Sequence, residues 1–396
     1  MRIGMILDSD FPPDPRVENE AVTLIKNGYE VYLFSLSFDK NFTANEIYNG
    51  IHVVRCYCPP IVYKFMALAY TLPLYHLYFR KPILKFLMSY KIDTVHIHDM
   101  QIARSIFYLK KSINSTIVLD LHENRPEIMK YYKHVNTFPG KYLIFPSIWK
   151  KFEKKYIQLS DRVVVVTNSA KEYYVNLYGV NPGKIFVVPN TVREKFYREY
   201  KLNRQIVERF KGKFNFLYLG ETGRRRGMFE LIDAMKKAIN MGVEANLIIV
   251  GTSKDEYLLK EKVKKNNLGK NVFIEGWKDF GLFQSYLTVA DVGVCPLHRN
   301  IHHDTTFANK IFQYASFGLP VIASNSTAQK RVLDKMQCGL FHEAKNSDDL
   351  AKKLFEIYKK KDLRNKLSTN AIEAIRTKYK WEIISMSLID LYQGIK

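Results

Sequence analysis

Three consecutive arginines, Arg224, Arg225 and Arg226, stand in the run FLYLGETGRRRGMFELIDA. An apolar stretch closes at Gly220 before them, and helical spacing begins near Met228 after them. A strand, a glycine-bearing loop and a helix start together aim backbone N–H groups and a positive dipole end at an anion. Guanidinium forks add bidentate contacts of the kind phosphate takes. A diphosphate is the guest this chemistry fits. The loop is neither a Walker A sequence nor a G-x-G-x-x-G dinucleotide fingerprint.

A second run, HHDTTFANKIFQYASFGLPVIAS, follows another apolar stretch, Val292–Cys295. Its pattern predicts a loop carrying His302, His303 and Asp304, then a helix over Phe307–Phe317 capped by Thr305 or Thr306. Lys310 then falls in the first helical turn, where a cation opposes the helix dipole. An anion bound beside it removes that conflict. The His-His-Asp group has no further ligand at metal spacing, so no metal is expected there. A third run, VLDLHENRPE, puts His122 and Glu123 directly after an apolar strand, and Asp99 follows TVHIH in the same way. Polar groups at such strand ends suit sugar hydroxyls or proton transfer.

The elements that must position these residues form two series. Short apolar strands at Arg2–Leu7, Tyr29–Leu36, Ile51–Arg55, Thr94–His98, Thr116–Asp120 and Arg162–Thr167 alternate with helical stretches, the first over Pro15–Asn27. A second set runs through Phe214–Leu219, Asn246–Val250, Val272–Glu275, Val292–Cys295 and Val321–Ser324, with a helix at Met228–Met241. Such alternation predicts an α/β fold with parallel sheets covered on both faces. Two doubly wound units are expected, residues 1–192 and 193–378, with ligands at the carboxyl ends of strands facing a central cleft.

A chain of 396 residues suits two domains, and 47% hydrophobic with 25% charged residues is a globular composition. The net charge of +22 draws phosphate-bearing partners. Nucleic acid is set aside because no recognised module or concentrated basic face is legible. The missing glycine fingerprint argues against a nicotinamide dehydrogenase. Cys56, Cys58, Cys295 and Cys338 form no C-x-x-C pair, which fits reduced thiols in the cytoplasm, and the short apolar start is no secretion signal. Residues 59–90 break the pattern. Fifteen residues between Lys64 and Arg80 carry no formal charge. That falls short of the roughly 20 a membrane span needs. A helix lying on an anionic membrane surface is expected instead, with Tyr63, Phe65, Tyr70, Tyr75, Tyr78 and Phe79 at the interface and Arg80, Lys81 and Lys85 toward headgroups.

In their order along the chain, these segments resemble family 4 of the retaining glycosyltransferases. The likeness runs from FPPDPRVENEAVTLIKNGYEV through IDTVHIHD, LDLHE, SDRVVVVTNSAKEYY and KIFVVPNTV, then GRRRGMFELIDAM, ANLIIVG, VFIEGW, ADVGVCPL and NKIFQYASFGLPVIAS. It implies the GT-B fold, a nucleotide-sugar donor bound by the second domain, a glycan or lipid-linked acceptor at the first, and no metal or other cofactor. It also implies that residues 379–396, opening on Tyr379-Lys380-Trp381-Glu382, form a last helix crossing back to the first domain. By position, Arg226 resembles the residue that neutralises the donor diphosphate, Lys310 a second cation there, and His122 the histidine near the transferred sugar. Gly276 and Trp277 resemble the segment that holds the nucleobase. Gly220, Arg224, Arg225, Thr305, Thr306, Asn309 and Gln313 complete the implied donor side; Arg16, Asp99 and Glu123 the acceptor side. Two departures stand out. Thr305 and Gln313 occupy positions where the family often has glutamates, which keeps a catalytically silent sugar-nucleotide binder as the alternative. Asp14-Pro15-Arg16 replaces a glycine pair, and Arg16 is expected to supply charge instead.

Overall fold

The computed structural model describes Met1–Ile395, in two compact units. The first comprises Met1–Pro189 and the returning segment Ser385–Lys396; the second is Asn190–Ile384. The boundaries expected at 192/193 and 378/379 thus stand against divisions at Pro189/Asn190 and Ile384/Ser385. Val192 and Trp381 both belong to the second unit, where the Trp381 N–H donates to the Val192 carbonyl at 2.9 Å.

The first unit is built on eight strands: β1 (Arg2–Ile6), β2 (Glu30–Ser37), β3 (Asn45–Tyr48), β4 (Ile51–Tyr57), β5 (Thr94–His98), β6 (Thr116–Leu121), β7 (Arg162–Val165) and β8 (Ile185–Val187). Their order is β3-β4-β2-β1-β5-β6-β7-β8, parallel throughout except for the β3–β4 pair. Central strands are buried on both faces, as their unbroken Val/Ile/Leu runs require. The sequence hid β3 because its residues are mostly exposed, and β8 because it is only three residues long. The helix Pro15–Lys26 starts where expected. Asp14 Oδ1 accepts from the N–H groups of Arg16 and Val17 at 3.1 Å each, and Pro15 fits the first turn.

The second unit has six parallel strands: β9 (Phe214–Leu219), β10 (Ala245–Val250), β11 (Val272–Gly276), β12 (Val292–Cys295), β13 (Val321–Ser324) and β14 (Gly339–His342). They lie in the order β11-β10-β9-β12-β13-β14. In both sheets the first strand of the series is flanked on either side by connections running opposite ways. Ligands in such sheets bind at the carboxyl ends beside that switch. It lies between β1 and β5 in the first unit and between β9 and β12 in the second.

Residues 59–90 differ from expectation. They form Pro60–Lys64, a 3-10 turn at Phe65–Leu68 and the helix Leu74–Ser89. Tyr70, Tyr75 and Phe79 are buried in the core of the first unit and Tyr63 and Phe65 pack half-buried against it, so five of the six aromatics assigned to an interface face inward. Their mixture with leucines gave no strong sidedness to read. Leu72, Leu74, Leu77 and Tyr78 remain exposed, as do Arg80, Lys81 and Lys85. No helix among the described residues is long and apolar enough to cross a membrane.

Candidate functional site

At the switch point of the second unit, β9 ends at Leu219, and the loop 220–227 leads into the helix Met228–Asn240. Gly227 adopts φ +74°, and an added Cβ would lie 1.9 Å from the Pro296 carbonyl oxygen, so only glycine lets this loop pack under the end of β12. Arg226 and Arg225 are about one-fifth exposed, whereas Arg224 is 71% exposed and lies toward Asp255 on the outside. Arg226 Nε donates to Glu221 Oε2 at 2.8 Å.

Lys310 meets this loop from below. It opens the helix Lys310–Ser316 and is buried. Its Nζ lies 3.5 Å from the centroid of the Tyr218 ring on β9, and a Cβ on Gly220 would stand 3.3 Å from it. Among the described residues no carboxylate comes within ion-pair distance of this ammonium. Burial, with a smaller push from Arg226, brings its pKa down to about 7. Arg226 and Glu221 are the charged side chains that act on Lys310 across the end of β9.

The surrounding segment differs locally from expectation. Ile301–Thr305 is a short helix capped by Asn300, whose Oδ1 accepts from the His303 N–H at 2.9 Å. Thr305 and Thr306 therefore cap nothing: their hydroxyls donate back to carbonyls at Ile301 and His302, at 2.8 and 2.7 Å. Asn309 takes the capping position of the next helix without a side-chain bond, and Gln313 lies half-buried one turn on from Lys310. Asp304 accepts from the Thr327 N–H, and His303, kept neutral by burial, bonds the His298 carbonyl; both hold the loop together. Gly276 ends β11 with φ +68°, its carbonyl accepting from Gly251, and Trp277 beside it is 72% exposed.

In the first unit, His122 follows β6 and is partly exposed. Its Nε2 lies 3.1 Å from Asp120 Oδ2 and 3.1 Å from His98 Nδ1, and its backbone N–H donates to Asp99 Oδ1 at 3.0 Å. Burial disfavours charge on this ring, but Asp120 and Asp99 outweigh it and push the pKa up to about 9. His98 is driven the other way, to about 3, chiefly by burial. His122 is therefore an imidazolium at neutral pH, a hydrogen-bond donor rather than a base. Asp99, at φ +64°, is aimed back at it by a left-handed backbone. Glu123 pairs with Arg125 at 3.0 Å.

Arg16 is corrected to a scaffold role. It is 4% exposed, and its guanidinium binds Asp120 by two nitrogens at 2.8–3.1 Å, Glu20 at 3.0 Å and the Val188 carbonyl at 3.0 Å. No face of it is left for a substrate. Sequence reasoning missed Asp120, Glu20, His96 and His98 behind His122. A charged residue inside the apolar strand TIVLDL and histidines two apart in TVHIH were the available signals. Glu20, His96, His98 and Asp120 each offer one atom within 4.8 Å of the others, a spacing a metal could use. Arg16 already bridges both carboxylates, so the positive charge there belongs to the protein. Asp8, just beyond β1, was also missed. It is buried, one oxygen lacks a partner, and burial raises its pKa to about 7.

Comparison with known proteins adds to this geometry. Residues 16–196 match the family model Glycosyltransferase Family 4, and residues 199–374 match Glycosyl transferases group 1. An uncharacterised glycosyltransferase of Methanocaldococcus jannaschii is 25% identical over 377 residues, covering 94% of this chain and 92% of that protein. The phosphatidyl-myo-inositol mannosyltransferase of Mycobacterium leprae is 27% identical over 180 residues, 45% of this chain and 46% of that one. Among solved structures, sucrose-phosphate synthase from Thermosynechococcus elongatus superposes with a TM-score of 0.78 at 19% identity, over 100% of this chain and 99% of the other. Anabaena HepE, solved in complex with UDP, superposes with a TM-score of 0.72 at 12% identity over 100% of both chains.

Proposed function

We propose, from the premise that this chain belongs to the glycosyltransferases, family 4 by its first unit and group 1 by its second, and has the GT-B fold, that it moves a sugar from a nucleotide-diphosphate donor to a glycan or lipid-linked acceptor, with retention of anomeric configuration and without a metal. The observation that carries this reading is Lys310: a buried lysine near Arg226 at the switch point of the second sheet, with no carboxylate within ion-pair distance among the described residues. The UDP complex of Anabaena HepE supports the same class of donor.

The bond between the anomeric carbon and the leaving phosphate oxygen breaks, and negative charge gathers on that phosphate. Fixed cations lower the barrier because they are stronger partners of the charged state than of the ground state. Arg226 and Lys310 fill that role. The acceptor oxygen forms the new bond to the anomeric carbon, and its proton passes to the departing phosphate. In the first unit His122, charged and backed by Asp120, is a hydrogen-bond donor suited to hydroxyls of the acceptor. Incubation with a panel of nucleotide sugars, followed by proton NMR of the first-formed product, should show the donor's anomer preserved and activity intact in EDTA. An inverted anomer or complete loss in EDTA assigns another class of enzyme, and binding without turnover leaves only a sugar-nucleotide binder.

Lys310 also gives this reading a pH signature. The free protein loses the Lys310 proton near pH 7, whereas a bound diphosphate raises that pKa. Binding then takes up a proton between pH 7 and the higher bound value, and affinity falls as pH rises through that window. Calorimetry at pH 8 in two buffers of different ionisation enthalpy should register the uptake. Identical observed heats in the two buffers, with pH-independent affinity, remove Lys310 from the donor site.

The membrane reading moves to other residues. Thr71 Oγ1 donates to the Leu143 carbonyl at 2.8 Å, joining the exposed Leu72 and Leu74 to a second segment with Phe138 81% and Tyr142 61% exposed. Lys133 and Lys141 lie in that segment, and Arg80, Lys81 and Lys85 flank the first. Apolar rings rimmed by cations suit the cytoplasmic leaflet, where a lipid-linked acceptor would be met. Vesicles with anionic lipid should bind the protein more strongly than neutral ones, and salt should release it. Phe138→Ser with Tyr142→Ser should weaken binding, as should glutamine at 80, 81 and 85. Sedimentation showing no preference for anionic vesicles overturns the membrane reading.

A further inference from the structure

Glu221 stands against the cations of the second unit. Its Oε2 accepts from Arg226 Nε at 2.8 Å and lies 3.7 Å from Arg225. Its Oε1 accepts from the Gly223 N–H at 3.1 Å. One loop N–H and one guanidinium N–H are the two kinds of donor a phosphate takes at such a turn. The side chain folds back because residue 223 has no Cβ: one placed there would lie 2.2 Å from Glu221 Oε1. Gly223 has φ −65° and ψ 163°, which any residue adopts, so its glycine is needed for the carboxylate's space and not for the backbone. The Tyr218 hydroxyl, whose ring carries Lys310, fixes the main chain by donating to the Glu221 carbonyl at 2.6 Å. Burial opposes the Glu221 charge, but the bond from Arg226 prevails and holds the carboxyl below its usual range.

We propose that Glu221 is a built-in stand-in for a phosphate: it occupies the Arg226 and Gly223 donors, and a diphosphate binds by displacing its carboxylate. This rests on the donor reading above and goes beyond it. The carboxylate keeps the arginine fork extended and pre-oriented, and it competes with every diphosphate that arrives. It acts equally on the donor and on the nucleoside diphosphate left after transfer, so it limits how long the product stays. Glu221 is 45% exposed and its backbone is held apart from its carboxylate, so the side chain can swing out without disturbing the loop.

The test is binding of inorganic pyrophosphate, by calorimetry at low fixed salt, to the full chain and to Glu221→Gln, Gly223→Ala and Arg226→Ala. Glu221→Gln removes the competing charge, and Gly223→Ala pushes the unchanged carboxylate away. Both are expected to bind pyrophosphate at least threefold more tightly than the parent, and Arg226→Ala more weakly. Parent-like affinity in both Glu221→Gln and Gly223→Ala, with Arg226→Ala still weakened, overturns the stand-in and leaves the donor site standing. Pyrophosphate binding by none of the four proteins overturns both.

Discussion

Arg226→Ala should lower turnover at least tenfold while the protein keeps its fold. The residue lies at the switch point of the second sheet, is mostly covered, and bonds Glu221 within its own loop. Removing it leaves no buried charge unpaired, because Glu221 is half in solvent. The fold should therefore survive, and circular dichroism with thermal melting should show it. Transition-state charge on the leaving phosphate is another matter. Deleting one fixed donor to a developing oxyanion costs about 2.7–4 kcal/mol in well-studied enzymes, and a hydrogen bond to a charged group is worth about 1.5–3 kcal/mol overall. The loss should fall mainly on kcat, since the interaction strengthens as the bond breaks. An Arg226→Ala enzyme with near-parental turnover at saturation would remove the diphosphate from this loop.

Arg16→Met should destabilise the first unit by about 3–5 kcal/mol, the usual cost of leaving a buried carboxylate without its partner. The guanidinium is the common partner of Asp120 and Glu20, both fully buried, and a methionine of similar length replaces its volume but not its charge. Burial already drives the Glu20 pKa upward against Arg16, while Arg16 holds Asp120 well below the carboxylate range despite its burial. Loss of Arg16 lets both carboxyls take up protons. Sign follows from that: stability that Asp120 contributes above its unfolded pKa, and loses only in strong acid, disappears, so the variant should be weakest relative to the parent near neutral pH and closer to it in acid. Urea melts at pH 7 and pH 4 measure this. Equal stability of variant and parent at pH 7 would return Arg16 to the surface and to the substrate.

The contrast between these two arginines shows where a sequence stops. Arg226 was legible because everything that positions it is local. An apolar run, glycines at 220, 223 and 227 and a helical pattern lie within a few residues, and strand–loop–helix geometry follows from short-range sterics and periodicity. Strand β5, β9, β12 and β13 bounds were legible for the same reason. Arg16 carries equally local signals, Asp14 as cap and Pro15 in the first turn, and these place its helix correctly. Its role depends on Asp120, which is 104 residues away. Only the order of strands in the sheet brings the start of that helix beside the end of β6. Likewise Tyr70, Tyr75 and Phe79 face inward because the unit has a core there to receive them, which no count of aromatics in residues 59–90 reveals. The order of segments, the two largely parallel sheets, the strand–loop–helix that carries Arg226 and the place of Lys310 in the first turn of its helix were set out by the sequence itself. Which charges are neutralised inside the protein, and which remain for a ligand, was decided by long-range packing, because a charge's partner is chosen by distance in space.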